Sequence, residues 1–96
     1  MNRIVLSPRA QADLEDIWDY TAARWSEGQA ERYIRDLWQA IETVAHDPRK
    51  GRACDGIRPG YRKYLVGVHV LFYRMFNDGV EIVRILHQRM DFDKHL

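Results

Sequence analysis

Two periodicities divide the chain. Across its first half, apolar residues recur every three or four positions. Ala10, Leu14, Ile17, Trp18, Thr21 and Trp25 form one such stripe, while Asp13, Glu15, Asp16 and Asp19 lie mostly on the other side. This spacing predicts an amphipathic helix running to about Arg24. Ser7 suits its N-cap, and Pro8 suits the first helical position, where a missing N–H costs nothing. Ser26-Glu27-Gly28-Gln29 then matches a capping box. A second stripe follows: Ala30, Tyr33, Ile34, Leu37, Trp38, Ile41, Val44 and Ala45. Asp47-Pro48 ends it, because a residue before proline avoids the α region. The joint around Trp25–Ser26 is short, so the two helices are expected to form an antiparallel hairpin. Trp18 and Trp38 fall on the stripes and are read as core; Trp25, at the joint, is read as the exposed one.

The pattern changes between Tyr61 and His87. Val66–Phe76 and Val80–His87 are dense in Val, Ile, Leu, Phe and Tyr, with Asn77-Asp78-Gly79 between them. Such residues suit a pleated, buried surface, and Asp-Gly between two such runs signals a hairpin. Gly67 splits the first run, making Tyr61–Val66 a strand of its own. Three consecutive antiparallel strands result. A two-residue Asp-Gly turn would set Tyr73 opposite Arg84, and a three-residue turn would set Phe72 there, so the register stays open. Both alternation phases are apolar: Val68, Val70 and Phe72 on one, Leu71, Tyr73 and Met75 on the other. A sheet wetted on one face should alternate cleanly. Each face therefore needs a cover, one from the rest of the chain and the other from a partner.

Asn2–Leu6 is a further short apolar run. If it joins the sheet, the order is β-α-α-β-β-β. The fold class is α+β, an N-terminal strand and a helical hairpin followed by a three-stranded antiparallel meander. Pro48–Gly60 reads as a loop, and Gln88–Leu96 as a polar tail that frays or docks across the sheet. Ninety-six residues make one domain, residues 1–96, with 88–96 as its tail. A single cysteine, Cys54, excludes an internal disulfide and fits a reducing compartment. No leader-like segment and no membrane-length apolar stretch occur, so a cytoplasmic protein is expected. The net charge is only +1, but it is uneven. Residues 1–47 carry five Arg against nine acids, a net −4, and residues 48–96 carry ten Lys or Arg against five acids, a net +5. The basic strand half points to an acidic partner, or to pairing between the halves.

The residues offer little catalytic chemistry. Four His and one Cys show no metal-ligand spacing, so no metal and no cofactor are expected. Gly51, Gly56 and Gly60 lack the strand–loop–helix context of a phosphate loop. Ser7 and Ser26 are explained as caps. His69 reads as a half-exposed strand residue, and His87 as a hydrogen-bonded histidine at a strand end. Arg74 and Arg84 lie inside apolar strands, where an unpaired guanidinium would be costly. Each either pairs internally, with Asp13, Asp16 or Glu81, or faces an acidic partner segment.

The opening SPRAQADLEDIWDY, the joint with DPRKGR, the segment IRPGYRKYLVGVHVLFYR and the ending VEIVRILHQRMD together span nearly the whole chain. In this order and spacing they resemble the RelE/ParE superfamily of type II toxin–antitoxin toxins, and the ParE branch more than the RelE branch. The resemblance implies a RelE-like fold, a cognate antitoxin in a hetero-oligomer, and DNA gyrase as target, held in its cleaved state on DNA. It implies binding rather than catalysis, with no catalytic residues. Antitoxin or target contacts are then expected at Arg58, Arg62, Arg74, Arg84, His87, Gln88, Arg89 and Met90. Deleting Gln88–Leu96 should abolish toxicity while leaving antitoxin binding mostly intact. The RelE branch implies an alternative, ribosome-dependent mRNA cleavage, with Arg84 and His87 as the catalytic candidates. Their odd separation puts these two on opposite strand faces. A net charge of +1 is also low for docking on ribosomal RNA, and direct nucleic-acid binding by the toxin alone is not expected. A third possibility is a partner of the same fold that is no longer toxic.

Overall fold

A computed structural model describes residues 3–96. Asn2, the first residue of the expected N-terminal strand, lies outside them. The elements are β1 (Arg3–Leu6), α1 (Pro8–Arg24), α2 (Glu27–His46), a single 3-10 turn at Pro48–Lys50, β2 (Arg52–Ala53), β3 (Tyr61–Val66), β4 (His69–Phe76), β5 (Gly79–His87) and the one-turn helix α3 (Phe92–His95). Both helix starts use the serines read from the sequence. Ser7 accepts the Ala10 N–H and Ser26 the Gln29 N–H, each at 3.0 Å.

The strands form one five-stranded sheet of order β1-β5-β4-β3-β2. β1 runs parallel to β5; the other pairs are antiparallel. The meander is therefore flanked on both sides. On one side β1 returns beside the last long strand. On the other, two residues of the expected Pro48–Gly60 loop form β2. β4 and β5 are central, which is why both their phases are apolar.

The helical hairpin packs on one face. Ala10, Ile17, Leu37, Ala40, Ile41, Val44 and Ala45 meet Leu71, Tyr73, Val80, Ile82 and Ile85 in the main core. The opposite face carries a second cluster of Cys54, Val70, Phe72 and Leu86. Ile57, Tyr61, Phe92 and Leu96 pack against it, and the Phe72 and Phe92 rings meet edge to face at 4.8 Å. The cover on this face thus comes from the same chain, where the sequence suggested a partner. Trp18 is half-buried, but Trp38 is 38% exposed. Trp38 is not core, because the sheet needs only the adjoining Leu37–Ile41 side of α2.

The β4–β5 register sets Phe72 opposite Arg84, one of the two expected pairings, but reaches it through a two-residue turn and a bulge rather than a three-residue turn. The turn residues are Asn77 and Asp78, with Phe76 opposite Gly79, and neither turn residue has a positive φ. Gly79 is required for another reason: a Cβ there would collide with the Arg3 carbonyl. A bulge beside Phe72 and Tyr73 then takes up Val83, so that Phe72 faces Arg84. At the β3–β4 turn Gly67 sits at φ +58°, the glycine role of a primed hairpin turn.

Candidate functional site

β1 stops at Leu6, so β5 loses its neighbour from Val83 onward. Helix α1 takes over this edge with side chains. Ser7 Oγ donates to the Val83 carbonyl at 2.7 Å. Asp13 accepts the Ile85 N–H at 2.9 Å and Arg84 Nε and Nη2 at 2.8 and 2.9 Å. Arg84 Nη1 donates to the His95 carbonyl at 2.8 Å. The Arg84 and Asp13 side chains are only 15% and 12% exposed. One guanidinium thus locks α1, the free stretch of β5 and α3 together. Its bidentate bond to Asp13 raises its already high pKa further.

Next to this lock, a groove of about 700 Å³ opens between the joint end of the helical hairpin and the ends of the strands. Ile17, Tyr20, Thr21 and Trp25 line it from α1 and the joint, Gln29, Arg32, Tyr33 and Asp36 from α2, and Val68, His69, Ile85, His87 and Met90 from the sheet side. Four apolar side chains around it are exposed: Tyr20 at 68%, Trp25 at 63%, Val68 at 45% and Met90 at 40%. Such a cluster marks a docking surface.

The groove floor is fixed by Tyr33. Its hydroxyl lies 2.6 Å from His69 Nδ1 and 3.2 Å from the Val66 carbonyl oxygen, and accepts the Val68 N–H at 3.3 Å. Helix α2 is thereby fastened to the β3–β4 turn. A Cβ at Gly67 would come within 2.8 Å of that hydroxyl. His69 and His87 pair across β4 and β5, with rings 5.5 Å apart and edge-on. Burial, and then the neighbouring His87, push His69 down to about 4 against a smaller opposing effect of Asp13. His69 is neutral at pH 7. The Arg89 N–H donates to His87 Nδ1 at 3.1 Å.

The eight residues singled out from the sequence fall in five places. His87 and Met90 line the groove. Gln88 and Arg89 are exposed just beyond it, in the turn after β5. Arg84 and Arg58 hold the last residues down. Arg58 donates through Nη2 to the Leu96 carbonyl at 2.5 Å, as Arg84 does to that of His95. Arg62 sits at the opposite margin of the sheet, with Nε on the Gly51 carbonyl at 3.0 Å. Arg74 lies near the β4–β5 turn, exposed and paired to Glu81 at 2.6 Å. Arg84 shares its strand phase with Phe72 and Leu86, whereas His87 shares that of Leu71 and Ile85. The two therefore do not converge. Sequence reasoning missed Tyr20 and Tyr33 as groove residues. Tyr33 sits on the α2 stripe like any core residue, and only the hairpin geometry shows its hydroxyl crossing to the turn.

A helical hairpin on one face of a mixed sheet, with an aromatic-rimmed groove at its joint, defines a small α+β protein with a candidate docking site. Comparison with known proteins narrows the class. A family model described as "ParE toxin of type II toxin-antitoxin system, parDE" matches residues 4–92. Toxin ParE1 of Mycobacterium tuberculosis is 57% identical over 96 residues, covering 99% of this chain and 98% of that protein. Toxin ParE1 of Caulobacter vibrioides is 47% identical, covering 95% and 94%. A solved structure described as a chromosomal ParDE TA system from P. aeruginosa superposes with a TM-score of 0.77 at 19% identity, over 88% of this chain and 92% of that one. The chain belongs to the ParE toxin family of type II toxin–antitoxin systems.

Proposed function

We propose that this toxin acts by binding DNA gyrase and stabilising its cleaved state on DNA, without catalysis of its own, and that a cognate antitoxin neutralises it by filling the groove. The whole chain works as one toxin domain in the cytoplasm, where gyrase is found, and residues 88–96 are its tail. The observation that carries the reading is the state of the groove: its apolar rim is exposed, while the adjacent strand edge is already closed by Ser7, Asp13 and Arg84. The edge leaves little for an added strand, so an antitoxin segment that orders on binding would dock mainly through side chains on Tyr20, Trp25, Val68 and Met90. The charged residues on the rim favour a polypeptide over RNA: Asp16 and Asp36 outnumber Arg32, and Asp13 is neutralised by Arg84.

Gyrase contacts are assigned to Gln88, Arg89 and Met90, with His87, Arg58 and Arg62 in support. Arg74 and Arg84 are held by Glu81 and Asp13, and act by shaping the protein rather than by touching a partner. Two assays test the reading. Trp25→Ala and Met90→Ala should each weaken antitoxin binding about tenfold or more by calorimetry, the range of a buried interface anchor. Gln88→Ala combined with Arg89→Ala should spare antitoxin binding but reduce inhibition of gyrase supercoiling. Unchanged antitoxin affinity in both groove variants overturns the groove assignment.

A further inference from the structure

The corner of the sheet farthest from the groove is built from cations. The 3-10 turn supplies Arg49 and Lys50, β2 supplies Arg52, and β3 supplies Arg62 and Lys63. In the β2–β3 ladder Arg52 stands directly opposite Lys63. Like charges facing each other across strands are destabilising. None of these five side chains forms an ion pair among the described residues. Of the acids nearest in sequence, Asp55 accepts the Gly60 N–H at 2.7 Å, and Asp47, which caps α2 only through its backbone N–H, lines a shallow pocket beside Glu42 and Lys50 without forming an ion pair with Lys50 among the described residues. Arg49 and Lys50 follow the C-terminal end of α2, where the helix dipole favours cations. That account does not reach Arg52 and Lys63.

The corner is also rigidly made. The fully buried Tyr73 accepts the Gly51 N–H at 3.0 Å and donates to the Pro48 carbonyl at 2.6 Å. Arg62 adds bonds to the Gly51 and Arg49 carbonyls at 3.0 and 3.4 Å. A Cβ at Gly51 would collide with Tyr73. A buried hydroxyl and a guanidinium thus fix the path of a loop whose exposed charges are all positive from Arg49 to Arg52.

We infer that this corner docks on the phosphodiester backbone of duplex DNA. Arg52 and Lys63 share one face of the strand edge, with Arg49 and Lys50 exposed beside them, and these four cations, none in an ion pair among the described residues, suit a row of phosphates. Four cations are too few for stable binding by the toxin alone at physiological salt, where non-specific contacts give dissociation constants of about 10⁻⁴–10⁻⁶ M. They suffice once the toxin is tethered beside DNA. That tethering rests on the gyrase reading above; the affinity of the corner for DNA does not.

Fluorescence anisotropy with a labelled 30-base-pair duplex tests the affinity directly, comparing the protein with Arg49→Glu/Lys50→Glu/Arg52→Glu, three exposed positions. The protein should bind at 50 mM salt, with a log–log salt slope of about −4, close to 0.9 per phosphate contacted. The triple variant should bind at least tenfold more weakly. The milder Arg49→Gln/Lys50→Gln/Arg52→Gln should bind with a slope shallower by roughly 3. A second arm measures gyrase-mediated DNA cleavage and gyrase binding without DNA. The triple Glu variant should lose trapped cleavage yet keep DNA-free gyrase binding. No anisotropy change for the wild-type protein at low salt, or equal binding by both, overturns the inference. Loss of antitoxin or DNA-free gyrase binding in the variant, with DNA binding intact, overturns it too and makes the corner a protein interface. A wild-type protein that binds DNA but leaves gyrase untouched overturns the gyrase reading alone.

Discussion

At the scale of single residues, the decisive pair is Asp13 and Arg84. The sequence left open whether Arg84 serves a partner or is paired internally. The structure spends both its faces on Asp13 and on the His95 carbonyl. Removing one member strands a nearly buried charge. Asp13→Ala should cost about 3 kcal/mol by urea unfolding, since it orphans both Arg84 and the Ile85 N–H. Asp13→Leu combined with Arg84→Met should recover most of that loss, as replaced buried pairs often do. Loss of toxicity in Arg84→Ala therefore reports folding, not contact with a target, and the double variant separates the two. His69 gives a pH signature. Its proton is held less readily when folded, at about 4 against an ordinary 6.5. Its contribution to stability is complete above about pH 6.5 and is lost as pH falls through 4. After discounting for partial exposure, acidification from pH 7 to 4 should cost the protein on the order of 2 kcal/mol more than His69→Gln, by thermal unfolding across pH. Equal acid sensitivity of the two would contradict the half-buried, neutral His69.

At the scale of elements, both helices were legible to within a residue or two because caps and periodicity agreed. Ser7-Pro8 and Ser26 begin them, and Arg24 and Asp47-Pro48 end them. Tyr61–Val66 was also legible, its end marked by Gly67. The rest depends on contacts distant in sequence. β2 is two residues in a proline- and glycine-rich loop, and it pairs only because Tyr73 pins the loop to the sheet. The bulge at Val83 follows from Ser7 and Asp13 gripping β5 from the side, which no strand pattern encodes. The hairpin register stayed open in the sequence: the Phe72–Arg84 pairing is one of its two alternatives, but the turn falls on Asn77-Asp78, because Gly79 is needed for the close approach of β1 rather than for a positive φ. Tyr73→Phe tests the loop tether. It should cost about 2 kcal/mol by denaturant unfolding, because the buried Gly51 N–H and the Pro48 carbonyl lose their partner. It should also speed amide exchange between Gly51 and Cys54.

At the scale of the whole molecule, the two halves of opposite charge pair sparingly. Only Asp13–Arg84 links the acidic helices to the basic strands as an ion pair among the described residues. The remaining cations stay outward, at the β2–β3 corner and after β5. The candidate site was only partly legible in the sequence. His87 and Met90, named from the sequence, line the groove; Tyr20, Tyr33 and Val68 line it too but were not named for it, since their convergence needs the hairpin joint to meet the β3–β4 turn. The last residues also have a structural task that the sequence could not reveal. Phe92 and Leu96 cover Phe72 and Leu86, so deleting Gln88–Leu96 removes part of a core as well as the proposed gyrase contacts. Such a deletion should lower stability by several kcal/mol in denaturant unfolding, from the apolar area it uncovers. The Gln88→Ala/Arg89→Ala protein is thus the sounder test of the tail. No described helix is long and apolar enough to cross a membrane, and no element of this account needs one.

The most direct measurement is a titration of purified toxin into gyrase with relaxed plasmid, scoring trapped double-strand cleavage, beside a coupled translation extract given the same doses. A binding poison should saturate near one toxin per gyrase active complex, leave mRNA intact, and be reversed by stoichiometric antitoxin. Arrested translation with cut mRNA at doses far below the ribosome concentration would contradict the account, and would mean that this fold turns over substrate despite the divergence of Arg84 and His87.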